Sequence, residues 1–151
     1  MLTVSDLLSR KGNNTVSVHP DFTVYQALRM MADYDVGALL VIENEKLLGI
    51  FSERDYARKV ALKGQRENNT LVGSVMVKEL TSVAPEDKVE YCMKLITERR
   101  IRHLPVLKND RLVGVISIGD VVKGIIDQQQ ATINDLESYI AGGYLSRDGL
   151  Q

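Results

Sequence analysis

The stretch GIFSERD, residues 49–55, returns as GVISIGD at residues 114–120, and this duplication decides the fold. Around it, residues 15–60 align without a gap on residues 80–125, at an offset of 65 residues. Similarity of a chain to itself at a fixed offset is typical of a repeat architecture. We therefore expect two alike units in one chain.

Each unit has the same predicted order of elements. A short apolar strand meets a proline turn, an amphipathic helix follows, and two strands joined by a polar turn lead into a second helix. The helix pattern is shared, with apolar residues at i, i+3, i+4 and i+7 in both copies: Val24, Ala27, Leu28 and Met31, matched by Val89, Cys92, Met93 and Ile96. The order β-α-β-β-α, twice, predicts an α/β (α+β) fold of small mixed sheets with helices.

A unit of roughly 60 residues buries too little surface to be comfortably stable alone. The two units should therefore pack around a pseudo-two-fold axis, with two equivalent clefts between them as preferred ligand positions. We divide the chain into a first repeat with an N-terminal segment (1–66), a second repeat (67–126), and an appended helix with a frayed tail after residues 142–143 (127–151).

Composition excludes several classes of protein. The 151 residues carry 19 Lys+Arg against 20 Asp+Glu, which argues against binding to nucleic acid. One cysteine, Cys92, with two histidines excludes a disulfide and a Cys/His zinc framework, and we predict no metal site. No apolar run approaches the ~18 residues of a membrane span. No secretory signal precedes the first repeat, so we expect no membrane partner and a reduced, cytoplasmic compartment.

The repeated pattern Gly-x-x-Ser-x-x-Asp has two interpretations. Ser-x-x-Asp resembles a capping box at the start of a helix, which needs no ligand. Alternatively, the exposed N–H groups of the helix attract an anion, and the aspartate accepts hydrogen bonds from two neighbouring hydroxyls, as on a ribose. The glycine before them permits close approach of another group. Both interpretations can hold together.

The differences between the copies concern positive charge. Arg54, Arg102 and His103 have no charged counterpart in the other copy. They are either solvated surface groups near a helix end or a grip on phosphate, for which the planar fork of arginine is suited. No nucleophile elbow or Walker loop is present, and Cys92 lies on the apolar face of a helix. We therefore predict no catalytic residues and no enzyme.

These features resemble a tandem pair of CBS domains, the Bateman module, in a stand-alone signalling or regulatory protein of bacterial type. The paired Gly-x-x-Ser-x-x-Asp motifs, the segment IRHLPV at residues 101–106 and the order of elements carry the resemblance. The resemblance implies a non-catalytic sensor that binds AMP, ADP, ATP, NAD or another adenosine-containing ligand between its repeats. It also implies a homodimer and leaves room for an unknown client protein.

The resemblance also implies two unlike binding sites. The first would use residues of both copies: Ser52, Arg54, Asp55, Thr81, Ser82, Val83, Arg102, His103 and Pro105. The second would combine the remaining matching positions: Ser117, Asp120, Thr15, Val16, Ser17, Gly37 and Ala38. Because only the first holds its own cationic groups, we expect it to bind charged phosphates more tightly. The rival hypotheses are a scaffold with unoccupied clefts and a small enzyme acting on the bound nucleotide.

Overall fold

A computed structural model describes residues 1–12 and 15–150, with side chains in the last helix as far as Gly142. The first half contains α1 (Val4–Lys11), β1 (Ser17–Val18), α2 (Val24–Tyr34), β2 (Ala38–Glu43), β3 (Lys46–Ser52) and α3 (Glu53–Asp55), which a π-helical segment, Tyr56–Ala61, continues. The second half contains α4 (Val72–Val75), α5 (Val89–Arg99), β4 (His103–Lys108), β5 (Arg111–Ser117) and α6 (Ile118–Leu150). The predicted mixed fold of helices and small sheets is confirmed.

Two alike hairpins form the centre of each half. β2 pairs antiparallel with β3, and β4 pairs antiparallel with β5 in the matching register. Their turns hold Asn44 and Glu45, and Asn109 and Asp110, at positive φ. Two successive residues with positive φ are what a tight hairpin turn requires, and asparagine tolerates that conformation well. The polar turns predicted from the sequence are therefore true hairpin turns.

A parallel strand is added to each hairpin, but to different extents. β1 pairs with β2 through Ser17 and Val18. In the second half the pairing shrinks to a single parallel bridge between Val83 and Val106. The short strand predicted before the proline turn of the second copy is thus a single bridged residue, Val83.

The two short helices α1 and α4 each pack on the opposite half of the molecule. α1 precedes the first hairpin but packs on the second half, and α4 precedes the second hairpin but packs on the first half. From α1, Val4, Leu7 and Leu8 are buried in the core of the second half, with α5, β4 and β5. From α4, Val72 and Val75 are buried in the core of the first half. The backbone of α1 is also tied there, since Val4 N donates to the carbonyl oxygen of Asp87 at 2.8 Å. Each core therefore contains a short helix from the other side of the predicted boundary at residue 66.

The last helix differs from its prediction in continuity. The sequence suggested a repeat helix followed by an appended helix from residue 127, whereas α6 runs without a break from Ile118 to Leu150. The frayed tail predicted after residue 143 is helical backbone as far as Leu150, and Gln151 lies outside the described residues. In the part of the chain that the structure covers, no helix is long and apolar enough to span a membrane.

Candidate functional site

The first Ser-x-x-Asp motif forms a complete capping box. Asp55 N donates to Ser52 Oγ at 3.2 Å, and Asp55 Oδ2 accepts from Ser52 N and Ser52 Oγ, both at 2.9 Å. Lys59 Nζ lies 3.6 Å from Asp55 Oδ1, one helical turn further on. The capping interpretation is therefore correct for this copy. An ionised carboxylate offers about four acceptor positions, so the carboxylate of Asp55 can accept further hydrogen bonds besides those of the cap.

The second motif caps its helix with an additional partner. Asp120 N donates to Ser117 Oγ at 3.2 Å, and Ser117 N donates to Asp120 Oδ2 at 2.8 Å. The same oxygen accepts a 2.7 Å hydrogen bond from Lys11 Nζ, which also donates to the carbonyl oxygen of Val115 at 3.0 Å. Burial raises the pKa of Asp120, but the hydrogen bonds from Lys11 and Ser117 outweigh it, so this pKa lies below its ordinary value. Asp120 is ionised and paired at neutral pH.

The glycine of each motif serves the packing of the chain itself. A Cβ at Gly49 would lie 2.6 Å from the carbonyl oxygen of Val77 and 2.8 Å from Met76 Sδ. A Cβ at Gly114 would lie 2.7 Å from Leu8 Cδ2. The close approach expected from the sequence is therefore real, but the approaching group is Leu8 of α1 or the residues just after α4, Met76 and Val77.

Two equivalent backbone bonds place the strand ends beside the capped helices. Glu53 N donates to the carbonyl oxygen of Gly37 at 3.0 Å, and Ile118 N donates to that of Arg102 at 2.8 Å. The first bond holds Gly37, just before β2, against the first residue of α3. The second holds Arg102, just before β4, against the first residue of α6. Each helix start therefore adjoins the entry to the hairpin of the same half.

One cavity lies between the start of α3 and the residues that lead into β4. It has a volume of about 400 Å³ and is lined by Gly37, Ile50, Ser52, Glu53, Arg54, Asp55, Arg58, Val77, Glu79, Leu80, Thr81, Arg100, Ile101, Arg102, His103 and Pro105. Most of the first predicted site is thus brought together: Ser52, Arg54, Asp55, Thr81, Arg102, His103 and Pro105. Residues of both halves line this cavity, as predicted for a cleft between repeats.

Two predicted residues of the first site are placed elsewhere. Val83 is only 3% exposed and packs in the core of the second half, so its side chain does not line the cavity. Ser82, beside it, is exposed to solvent and is not part of the cavity wall. The reason is the bridge between Val83 and Val106, which turns the side chain of Val83 inward. Thr81, just before them, is the member of this segment that reaches the cavity.

Apart from Gly37, the residues of the second predicted site do not line the cavity described above. Gly37 lines the cavity of the first site, because its carbonyl oxygen is bonded to Glu53 N, so its assignment to the second cleft is corrected. Ala38 is paired with Ser52 across the hairpin. Thr15 and Val16 are partly buried and Ser17 is exposed; these three, with Ser117 and Asp120, are not in the wall of the first cavity.

Several lining residues were not predicted. Arg58 lies one helical turn beyond Arg54, so the spacing of four could have indicated that both face one side. Arg100 ends α5 in the left-handed conformation, with φ of 53°, and no pattern in the sequence indicates that it reaches the cavity. Glu79 follows α4, whose packing on the first half brings it there. The wall thus contains four arginines and three carboxylates.

His103 is the histidine at this site. Its pKa is lowered mainly by burial and further by the positive charges of Lys11 and Arg102, which outweigh the carboxylates of Asp120 and Asp55. The imidazole is therefore neutral at pH 7 and can donate one hydrogen bond and accept another. Cys92 is fully buried on α5, and burial raises the pKa of its thiol to about 11, so it is a core residue as predicted.

Comparison with known proteins gives a consistent family. The model of the CBS domain matches the chain twice, over residues 4–62 and 72–127. The CBS domain-containing protein CBSX3, mitochondrial, of Arabidopsis thaliana is 40% identical over 151 residues, which cover 94% of this chain and 73% of the plant protein. The crystal structure of the CBS-domain containing protein ATU1752 from Agrobacterium tumefaciens is 38% identical and superposes with a TM-score of 0.77, covering 81% of this chain and 98% of that one.

A more distant structure was solved with ligands bound. It is the CBS domain pair of protein MJ0100, in complex with 5′-methylthioadenosine and S-adenosyl-L-methionine. It is 18% identical to this chain, with a TM-score of 0.74, and the match covers 85% of this chain and 98% of that one. At this identity the likeness shows a shared fold.

Proposed function

The chain belongs to the CBS-domain family, as a tandem pair of such domains, and we propose that it is a regulatory module whose ligand is an adenosine-containing nucleotide. AMP, ADP, ATP and NAD are the candidates, and the cavity between the halves is the proposed site. The single observation that carries the proposal is this cavity, because it joins an aspartate at a helix start to arginines of both halves. Its volume of about 400 Å³ lies within the range of small-molecule sites.

The proposed contacts follow from the chemistry of the wall. Asp55, which keeps free acceptor positions beside its cap, would accept hydrogen bonds from the ribose hydroxyls. Arg54 and Arg102 would hold phosphate oxygens, since guanidinium groups bind them in a bidentate manner. Ile50 and Pro105 supply apolar surface on which the base would rest.

The ligand class receives support from the fold neighbour MJ0100, whose CBS pair was crystallised with two adenosine derivatives. Base and ribose are common to those ligands and to the four candidates. The feature that favours a phosphorylated member here is the set of arginines in the wall. Isothermal titration calorimetry with adenosine, AMP, ADP, ATP and NAD tests the proposal, with AMP or a larger phosphate ligand expected to bind more tightly than adenosine.

The alternative is a scaffold with unoccupied clefts. It is favoured by one observation, namely that both Ser-x-x-Asp motifs satisfy their helices without any ligand. A ligand at 100 times its Kd stabilises the folded state by about 2.7 kcal/mol, so binding is visible in thermal unfolding. No heat of binding and no rise in Tm with any of the five compounds would establish the scaffold.

We further propose that the module is not an enzyme and acts on a client by changing the relative placement of its halves when a nucleotide binds. Chromatography of each nucleotide after long incubation with the protein should recover it unchanged, and a new product would overturn this part. Its compartment in the cell stays an expectation: the sequence favours the cytoplasm, whereas the plant relative is mitochondrial by name.

We propose a homodimer in which α6 contributes to the contact. Five apolar residues on this helix are exposed and recur at a spacing close to 3.5 residues per turn: Val122, Ile126, Ile133, Leu136 and Ile140. Such a spacing, with isoleucine at alternate seam positions, favours pairing of two helices. A second copy would cover this stripe, which is 38–66% exposed in a single chain.

A further inference from the structure

We propose that Lys11 closes the second cleft from within, so that one chain binds one nucleotide and not two. This inference rests on the proposed function of the first cavity. It is drawn from the hydrogen bond between Lys11 Nζ and Asp120 Oδ2, which joins residues 109 positions apart in the sequence. The ammonium group holds the carboxylate that a ribose would need in the second cleft.

The ammonium is fixed by more than one partner. Lys11 Nζ donates to Asp120 Oδ2 at 2.7 Å and to the carbonyl oxygen of Val115 at 3.0 Å. The ammonium group therefore bridges the first turn of α6 and strand β5, in front of the N-terminus of α6. The side chains of Lys11 and Asp120 are 33% and 26% exposed, so this pair is partly shielded from water. A ligand must displace the ammonium before its hydroxyls can approach Asp120.

The first cleft has no such occupant. Within residues 1–12 and 15–142, the one cation paired with the equivalent carboxylate, on Asp55, is Lys59 Nζ, one turn further along the same helical segment, at 3.6 Å. That lysine donates to the carbonyl oxygen of Val75 at 3.0 Å. The position after α4 that corresponds to Lys11, at the offset of 68 that aligns Leu8 with Met76, is Glu79, which lines the cavity. The carboxylate of Glu79 repels that of Asp55, so Glu79 cannot pair with Asp55 as Lys11 pairs with Asp120.

The length of α1 explains the asymmetry. α1 continues for three residues past Leu8, whereas α4 ends at Val75, before the corresponding Met76. The extra turn of α1 carries Lys11 to Asp120. Gly124 permits this placement, because a Cβ there would lie 2.5 Å from Leu7 Cδ2. In the first half, the residue at the position of Gly124 is Lys59.

The test is the number of AMP molecules bound per chain, measured by isothermal titration calorimetry, with ATP and NAD titrated in the same way. Wild-type protein should bind one. Lys11→Met, which keeps the length of the side chain and removes its charge, should bind two. Asp120→Ala added to Lys11→Met should return the number to one. Arg10→Met is the matched control, because Arg10 lies on the same helix but pairs with Asp127 at 3.5 Å, and it should still bind one.

The outcomes separate the two proposals. If none of the nucleotides binds to wild-type protein, the proposed function fails, and this inference fails with it. If wild-type protein binds two, or if Lys11→Met still binds one, the inference is wrong while the proposed function stands. If Lys11→Met weakens the single binding event tenfold or more, Lys11 is a contact of the ligand in the first cavity and does not close the second cleft.

Discussion

Leu8 lies so close to Gly114 that a Cβ on this glycine would be 2.7 Å from Leu8 Cδ2. Gly49 has the same relationship to the chain after α4, but there the nearest atom is the backbone carbonyl oxygen of Val77, at 2.6 Å. A leucine side chain can rotate away, whereas that carbonyl accepts a 3.0 Å hydrogen bond from Ile50 N. The two glycines occupy equivalent positions in the repeats, but an added Cβ should be tolerated better at Gly114 than at Gly49.

Gly49→Ala should accordingly destabilise the protein more than Gly114→Ala. Overpacking of a tight core contact costs typically about 1–3 kcal/mol, and we expect Gly49→Ala to fall in that range. Urea unfolding measures the free energy of unfolding of both variants, provided that the dependence of this free energy on urea concentration has the same slope in each. Equal losses, or a greater loss at Gly114, would contradict the difference between backbone and side-chain contact.

Asp55→Ala should weaken nucleotide binding far more than Asp120→Ala. Hydrogen bonds to a charged group contribute about 1.5–3 kcal/mol, so the loss at Asp55 corresponds to about 10- to 100-fold in Kd. Asp120 is held by Lys11, and its removal should change Kd by less than about threefold on the same scale. Calorimetry decides the point, with Tm recorded because both substitutions also remove a helix cap. Unchanged affinity in Asp55→Ala with lost affinity in Asp120→Ala would reverse the ranking of the clefts.

Arg102→Ala should weaken the binding of AMP and ATP and leave adenosine unaffected, because the guanidinium is proposed to contact phosphate. The loss should be greatest at low salt, where charges are least screened. Arg111→Ala is the control, since Arg111 begins β5 at the hairpin turn and does not line the cavity. A similar loss for adenosine would place Arg102 in contact with the nucleoside and exclude the phosphate role.

Stability should fall as the pH is lowered through about 6.5, the ordinary pKa of histidine. In the folded protein the pKa of His103 is lowered by burial and by Lys11 and Arg102. Between the folded and unfolded pKa values the unfolded chain binds more protons, so acidification favours unfolding and the free energy of unfolding rises with pH. In His103→Asn this slope should be reduced below about pH 6.5, the ordinary pKa of histidine. An unchanged slope would mean that His103 does not contribute.

Ile133→Asp should convert the proposed dimer to a monomer, because it buries a charge in the seam of α6. Ser138→Asp, on the same helix outside the apolar stripe, is the control and should leave the mass unchanged. Light scattering at micromolar concentration provides the measurement. A monomer mass for the wild-type protein refutes the dimer, and a dimer of Ile133→Asp excludes the seam as the contact.

Local patterns were sufficient to predict the two hairpins and the helix that precedes each of them, whereas the first site was predicted from the resemblance to the family. The spacing of Val24, Ala27 and Met31 predicts a buried helix face, and all three residues are buried as expected. The hairpins follow from polar turns between apolar runs. Ser52, Asp55 and His103 were grouped through the resemblance of their motifs to the family, and the cavity brings them together.

Tertiary contacts decided what the sequence could not predict. Which core a short amphipathic helix covers depends on packing across the whole chain, so the placement of α1 on the second half left no local signal. The pairing of Lys11 with Asp120 follows from that placement. Gly37 was assigned to the other cleft as the counterpart of Arg102, and the backbone bond from Glu53 that places it beside the first cavity depends on the folded hairpin.

The exchange of α1 and α4 between the cores has a mechanical consequence. Neither half can unfold completely without losing a helix from its core or removing one from the core of the other half. Two peptides made by cutting the chain between residues 66 and 67 would each lack material that their own interior needs. Mixed together, they should recover a folded whole that neither forms separately.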